Sequence, residues 1–340
     1  DEYRQRLANI DLGSRETVAS EFEKAKSFWL KFPVKYMHSL KNSDCAGEYI
    51  YESKNVRDSY RVRGAEDCRF VQNLILGPSK DCYDHLGWGD GAELVYYCQQ
   101  VGSGAYNVRF CNSCFLQCRD MQYSIACISS NNLFGCISLR KKEYCILNKQ
   151  YSKEEYEALM PKIIEHMNAM PYVDAQGRTY KYGDFFPLDM APCAYNETLA
   201  QEFFPITKEA AEAMGSRWAD TTSREYKITV PAKDMPDNIK DVSDAILQET
   251  IGCEHAGNCL DGCSVAFRII PKELEFYRSV GIPLPRMCFR CRHMSRVALR
   301  NQPGLYERTC AKCGKPISTP YAPDRPEIVY CETCYQQEVV

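Results

Sequence analysis

The chain is expected to be mainly β with flanking helices: a parallel β-solenoid followed by a small α+β domain with tandem zinc-ribbon-like sites. Three observations point there. A short phrase of small residue, charged residue, Asn or Asp, then Cys or an aliphatic recurs about every 11 to 14 residues between Asn42 and Lys149. The last third pairs its cysteines as Cys288-x2-Cys291, Cys310-x2-Cys313 and Cys331-x2-Cys334. Length is the third: 340 residues exceed one ordinary core, and 45% hydrophobic with 26% charged residues describe a globular chain.

Four segments follow: 1–41 an N-terminal capping helix, 42–150 the solenoid, 151–252 a second capping helix with an irregular connector, and 253–340 a tandem zinc-ribbon domain. Val18, Phe22, Ala25 and Trp29 have helical spacing behind Ser14 as N-cap, and Pro33 ends that helix. It is expected to cover the open end of the solenoid, as elongated repeats need a cap. Glu2, Tyr3 and Ile10 align with Glu155, Tyr156 and Ile163, as if the first residues were the tail of an earlier repeat.

The repeated phrase is clear at Ser53-Lys54-Asn55-Val56, Ala65-Glu66-Asp67-Cys68, Ser79-Lys80-Asp81-Cys82 and Ser130-Asn131-Asn132-Leu133. Its period is too short for a helical hairpin and suits one short strand plus one turn. Cys45, Cys68, Cys82, Cys98, Cys127, Cys136 and Cys145 recur through this block, where a small polarizable side chain stacks well. Cys111, Cys114 and Cys118 are close enough to suggest an iron–sulfur cluster, with stacked interior positions favoured. One turn is rich in chemistry: Asp84, His85, Trp88, Asp90 and Glu93 could form a glycan or polymer site with a stacking platform and an acid/base pair, against the plainer reading of a long turn.

Ser152 to Glu155 is a capping box opening a helix to about Met170, with Tyr156, Leu159, Ile163, Ile164 and Met167 on one face. Beyond it, a short helix capped by Thr207, a strand near Tyr226 to Val230 and a helix from Ser243 to Ile251 lead to the cysteine-rich end. Asn196-Glu197-Thr198 matches a glycosylation acceptor, relevant only to a secreted chain.

Two zinc ions are expected. Cys310, Cys313, Cys331 and Cys334 supply four thiolates in two knuckles, a closed tetrahedral set with no open position. Cys288 and Cys291 make half of the other site, and Cys259 with Cys263 the preferred second half, with Cys253 or His255 able to replace one or both. Residues 286–315 carry eight basic side chains against Glu307, about +7 in a chain whose net charge is −3. A helix expected over 292–302 would align Arg292, Arg296 and Arg300 as a face for RNA, DNA or a nucleoprotein. The competing account is that arginines balance the negative charge of zinc–thiolate centres.

Leu139-Arg140-Lys141-Lys142-Glu143-Tyr144-Cys145, Glu273-Leu274-Glu275-Phe276-Tyr277, Leu284-Pro285-Arg286 and Tyr321-Ala322-Pro323-Asp324-Arg325-Pro326-Glu327 give nearly the whole chain a resemblance to zinc-ribbon, cysteine- and asparagine-repeat proteins of genome-reduced candidate-phyla bacteria. The resemblance implies zinc ribbons, solenoid-like repeats and a capping helix. It implies no activity.

Twenty cysteines, several in metal-type spacing, suggest a reducing compartment, and the cytoplasm is the expected location. No apolar run is long enough for a bilayer span. The expected function is a zinc-stabilised binding or scaffold protein, touching nucleic acid or packing on another solenoid or protein. A glycan-directed enzyme is the alternative.

Overall fold

The computed structural model describes residues 2–220 and 226–339. Backbone contacts divide it into two compact units, each of two chain segments: Asp1–Pro33 with Pro192–Asn301, and Val34–Ala191 with Gln302–Val340. No helix among the described residues is long and apolar enough to cross a membrane.

The second unit holds a β-solenoid of about nine turns. After β1 (Val34–Lys35) come β2 (Ser39–Leu40), β3 (Ser43–Tyr51), β4 (Lys54–Arg63), β5 (Ala65–Gln72), β6 (Ser79–Leu86), β7 (Glu93–Gln99), β8 (Tyr106–Arg109), β9 (Arg119–Gln122), β10 (Asn131–Phe134), β11 (Glu143–Ile146) and β12 (Lys149–Gln150). β2 to β11 pair in parallel in chain order, and β12 folds back antiparallel on β11. Lys80, Glu93, Tyr106, Arg119, Asn131 and Glu143 stand in register, so successive turns are 12 or 13 residues long there.

Burial inside these turns recurs every three residues, with one step of four in the 13-residue turns, where an ordinary strand has period two. Val95, Cys98, Val101 and Ala105 are inward in one turn, then Val108, Cys111, Cys114 and Cys118, then Met121, Ser124, Cys127 and Ser130. The cause is a left-handed residue before each of them: Leu94, Tyr97, Gln100 and Gly104 in the first of these turns, Asn107, Phe110, Ser113 and Gln117 in the next. Each such residue turns the chain through a corner and returns the following side chain to the interior, giving four corners a turn. A left-handed conformation costs a non-glycine residue about 1 kcal/mol or more, least for Asn and Asp. The repeated phrase is explained by this, because its Asn or Asp is one such corner (Asp44, Asn55, Asp67, Asp81, Asn107, Asp120, Asn132) and the next residue points inward.

The same geometry explains the interior cysteines and serines. In several turns a backbone N–H meets a small polar side chain of the previous turn: Val71 N–H donates to Ser59 Oγ, Cys111 to Cys98 Sγ, Ser124 to Cys111 Sγ, Cys136 to Ser124 Oγ and Asn148 to Cys136 Sγ, at 3.2–3.5 Å. Ser53 and Ser130 do the same for Ala65 and Lys142. A buried N–H without an acceptor is costly, so small side chains with a lone pair are favoured at these positions over purely apolar ones.

Both ends of the solenoid are covered within its own unit. At the far end, the helix Lys153–Ala169, with the expected capping box at Ser152 and Glu155, packs Tyr156 and Met160 on Phe134 and Ile146. Tyr182, Phe185 and Phe186 of the following segment lie on the aromatic corners Tyr97, Phe110 and Tyr123. At the first end, β1 pairs in parallel with Val329–Tyr330, Thr319 donates its hydroxyl to the Tyr36 carbonyl at 2.7 Å, and the strand Pro316–Thr319 lies against β3. That end of the solenoid is thus covered by the chain's C-terminal strands. The N-terminal helix forms over Arg15–Trp29 with Ser14 as N-cap, and within its own unit it is held by Ser14 on Asp237 at 2.5 Å and Arg15 on Glu254 at 2.8 Å.

The first unit has a core of Met235, Ile239, Val242, Ile246, Ile251, Ile269, Leu274 and Leu284. Thr207 caps the helix Lys208–Ala213 as expected. The strand expected near Tyr226 to Val230 is only a single bridge from Val230 to Ile251, and the helix expected to Ile251 is a 3-10 helix, Asp244–Gln248, before the short strand Ile251–Gly252.

Candidate metal centre

The C-terminal cluster is built by a hairpin and a helix. Strands Tyr306–Thr309 and Pro316–Thr319 pair antiparallel around a knuckle that presents Cys310 and Cys313. Cys331 precedes the helix Glu332–Val339, and Cys334 lies in its first turn. The four sulfurs all lie within 4.8 Å of one another, with Cys313 and Cys331 at 3.8 Å. A tetrahedral Zn²⁺ with Zn–S of about 2.3 Å needs sulfurs about 3.8 Å apart, so the donor set fits the ion. Burial alone would raise the Cys310 thiol. Backbone N–H groups of Cys313, Cys331 and Lys312 outweigh it and bring that thiol down to about 6.

A second cluster repeats the plan in the other unit. Cys253 follows the strand Ile251–Gly252 and Cys263 precedes its antiparallel partner Ala266–Phe267, so the two cysteines flank one hairpin loop. Cys288 is the N-cap of the helix Phe289–Val297 and Cys291 lies in its first turn. These four sulfurs also lie within 4.8 Å, all buried, with Cys263 and Cys288 at 3.9 Å. Cys253 Sγ accepts the Cys288 N–H at 3.3 Å. Desolvation opposes ionisation of Cys288, yet hydrogen bonds from Ser264 and the backbone N–H of Cys291 prevail and lower it to about 6. In both clusters the second cysteine pair sits at a helix N-terminus, where unpaired N–H groups favour thiolates.

The chain therefore has two zinc sites, each a closed four-thiolate set suited to holding structure together. In the upstream site the structure gathers Cys253, not Cys259, with Cys263, Cys288 and Cys291. The expectation of Cys259 with Cys263 rests on the apolar run Phe267-Arg268-Ile269-Ile270 after Cys263, and their three-residue spacing departs from the usual knuckle. Strand pairing decides for Cys253, since Gly252 stands opposite Ala266. Cys259 and His255 remain beside the tetrad, Cys259 Sγ 3.7 Å from Cys291 Sγ.

The arginines separate. The helix ends at Val297, not near residue 302, so Arg300 lies beyond it. Arg292 bonds the Tyr277 hydroxyl at 3.0 Å and pairs with Glu273 at 3.7 Å. Arg300 pairs with Glu202 at 3.1 Å and covers the Phe203 ring. Arg296 is exposed.

The chemistry-rich turn is divided by the solenoid wall. His85 is an interior side chain, 1% exposed, its Nδ1 near the Cys98 carbonyl at 3.2 Å, and burial pushes its pKa down to about 4. Asp84, Asp90 and Glu93 stand outside, and Trp88 packs on Phe115. Cys111, Cys114 and Cys118 occupy three successive inward positions of one turn, where their thiols lie against backbone carbonyls such as Arg109 and Ser124. Asn196 exchanges both hydrogen bonds of its amide with the Ala219 backbone.

The family model described as a probable treble clef zinc finger matches residues 304–339. Knuckle, hairpin and ligand-bearing helix account for that match, and they replace the second ribbon knuckle expected from spacing. No curated protein matches the chain, and no solved structure does.

Proposed function

We propose that this chain is a zinc-stabilised scaffold whose solenoid binds a partner protein through one outer face. The observation that carries the reading is an in-register outer column of Arg57, Arg69, Tyr83 and Tyr96, in which Tyr83 and Tyr96 are each 41% exposed. Arg and Tyr are the residues that anchor protein interfaces. Arg57 pairs with Asp44 and Arg69 with Asp58, so the face carries little net charge to attract a polyanion. A reducing cytoplasmic setting belongs to the same reading, because the solenoid thiols are all free.

The test is binding by the full zinc-loaded chain. A partner that co-purifies with the chain should be lost with the double variant Tyr83→Ala and Tyr96→Ala while both zinc ions are retained. Retention of the partner by that variant would overturn the assignment of the face.

Nucleic-acid contact by Arg292, Arg296 and Arg300 is the second reading. Exposure of Arg296 supports it, and the internal pairing of Arg292 and Arg300 weighs against it. Anisotropy titrations against single- and double-stranded RNA and DNA at low salt separate the two. Binding with a steep salt dependence that weakens with Arg296→Ala favours the arginines.

A further inference from the structure

Beside the buried upstream tetrad stands a second group of ligating atoms. His255, Cys259, Asp261 and Cys291 each offer a ligand atom, and these atoms lie within 4.8 Å of one another. Cys291 belongs to both groups. We propose that this is a third metal position, taking a divalent ion such as Zn²⁺ on His255, Cys259 and Asp261, with the Cys291 thiolate bridging it to the ion in the tetrad.

Three features argue for an ion there. Cys259 Sγ and Cys291 Sγ are 3.7 Å apart, an edge of a tetrahedron around zinc with Zn–S of about 2.3 Å. His255 Nδ1 is 3.5 Å from Asp261 Oδ2, too long for a good hydrogen bond and close to the edge expected for nitrogen and oxygen ligands at about 2.0–2.2 Å. His255 Nδ1 is also buried without a hydrogen-bond partner, a cost that a metal ion would remove. Arg290 donates through Nε to the backbone carbonyl of Asp261 at 3.0 Å.

The charge balance is compatible with this. A zinc with four thiolates carries about −2, and a second Zn²⁺ arriving with the Cys259 thiolate and the Asp261 carboxylate leaves that total unchanged. Binding releases the Cys259 proton to solvent. His255, Cys259 and Asp261 are half-buried, whereas the tetrad is fully buried, so the third ion is the one that exchanges with solvent. The donor set of imidazole, carboxylate and thiolates is open to solvent on one side, unlike the two closed sites. The upstream centre is thus a binuclear cluster with one structural and one exchangeable ion.

The test is the number of ions on the full chain, read by native mass spectrometry with Zn²⁺ as the only added metal. Three ions per chain are expected in excess zinc, falling to two after mild chelation. Asp261→Asn with His255→Ala, and separately Cys259→Ser, should each lose one ion and keep two that resist mild chelation. These changes leave the four tetrad cysteines in place, so the fold is expected to survive. Saturation at two ions in the unaltered chain would overturn the proposal. So would three ions retained by the variants, which would put the third ion elsewhere, or a single chelation-resistant ion with Cys259→Ser, which would make Cys259 a tetrad ligand.

Discussion

Ser124→Ala tests the reason for polar side chains inside the solenoid. Ser124 is fully buried, accepts the Cys136 N–H at 3.2 Å and donates to the Gln122 carbonyl at 3.0 Å. Alanine fills nearly the same volume, so cavity and overpacking terms are small. What remains is an orphaned N–H in the interior, a cost of about 1–3 kcal/mol. The cost is local, so it should show at the Cys136 amide. Native-state hydrogen exchange should find that amide about 5- to 150-fold less protected, the range that corresponds to 1–3 kcal/mol. Ser124→Cys is the control, because Cys111 and Cys98 accept the same kind of N–H in the same column. It should cost under about 1 kcal/mol and keep the protection. Unchanged protection in Ser124→Ala, or equal loss in both variants, would refute the role given to these acceptors.

Leu133→Ala, between Met121 and Cys145 in the fully buried core, should destabilise the solenoid by about 2–5 kcal/mol in denaturant unfolding under reducing, zinc-replete conditions. Cys310→Ser should remove one zinc per chain in metal analysis and loosen the pairing of β1 with Val329–Tyr330, seen as faster exchange at Val34 and Tyr36, whose amides bond Ile328 and Tyr330. His38 bonds the buried carboxylate of Glu48 at 2.6 Å, and that bond raises its pKa above the ordinary histidine value. A raised folded pKa means that this contribution is complete below about pH 6.5 and is lost as pH rises through the folded value. The half-exposed ring keeps it to about 1 kcal/mol or less, and wild type minus Glu48→Gln across pH 6 to 9 should show that slope.

The legible parts were those written in local repetition. The phrase period gave the parallel ladder, since Asn or Asp in a left-handed corner followed by an inward residue is a rule the sequence repeats at Asp67-Cys68, Asp81-Cys82 and Asn132-Leu133. The period of three within each turn was hidden, because Leu94, Tyr97 and Phe110 also serve as corners and do not look like turn residues. The knuckle Cys310-x2-Cys313 and its partner pair were legible for the same reason, two-residue spacing being enough to aim two sulfurs at one point. Cys253 was harder to place, as its neighbour in space is set by a strand pairing ten residues wide at the cysteines.

Sequence by itself determined the solenoid, the capping box at Ser152, the four thiolates of the C-terminal finger and the presence of a second zinc ligand set, all of which depend on residues close together in the chain. Tertiary structure decided three other matters. It placed the C-terminal finger at the first end of the solenoid through β1 and Thr319, it chose Cys253 for the upstream tetrad, and it drew Arg292 and Arg300 into internal pairs with Glu273 and Glu202. Each of these joins residues far apart in the chain. Such contacts depend on how finished elements pack, and neither spacing nor periodicity encodes that packing.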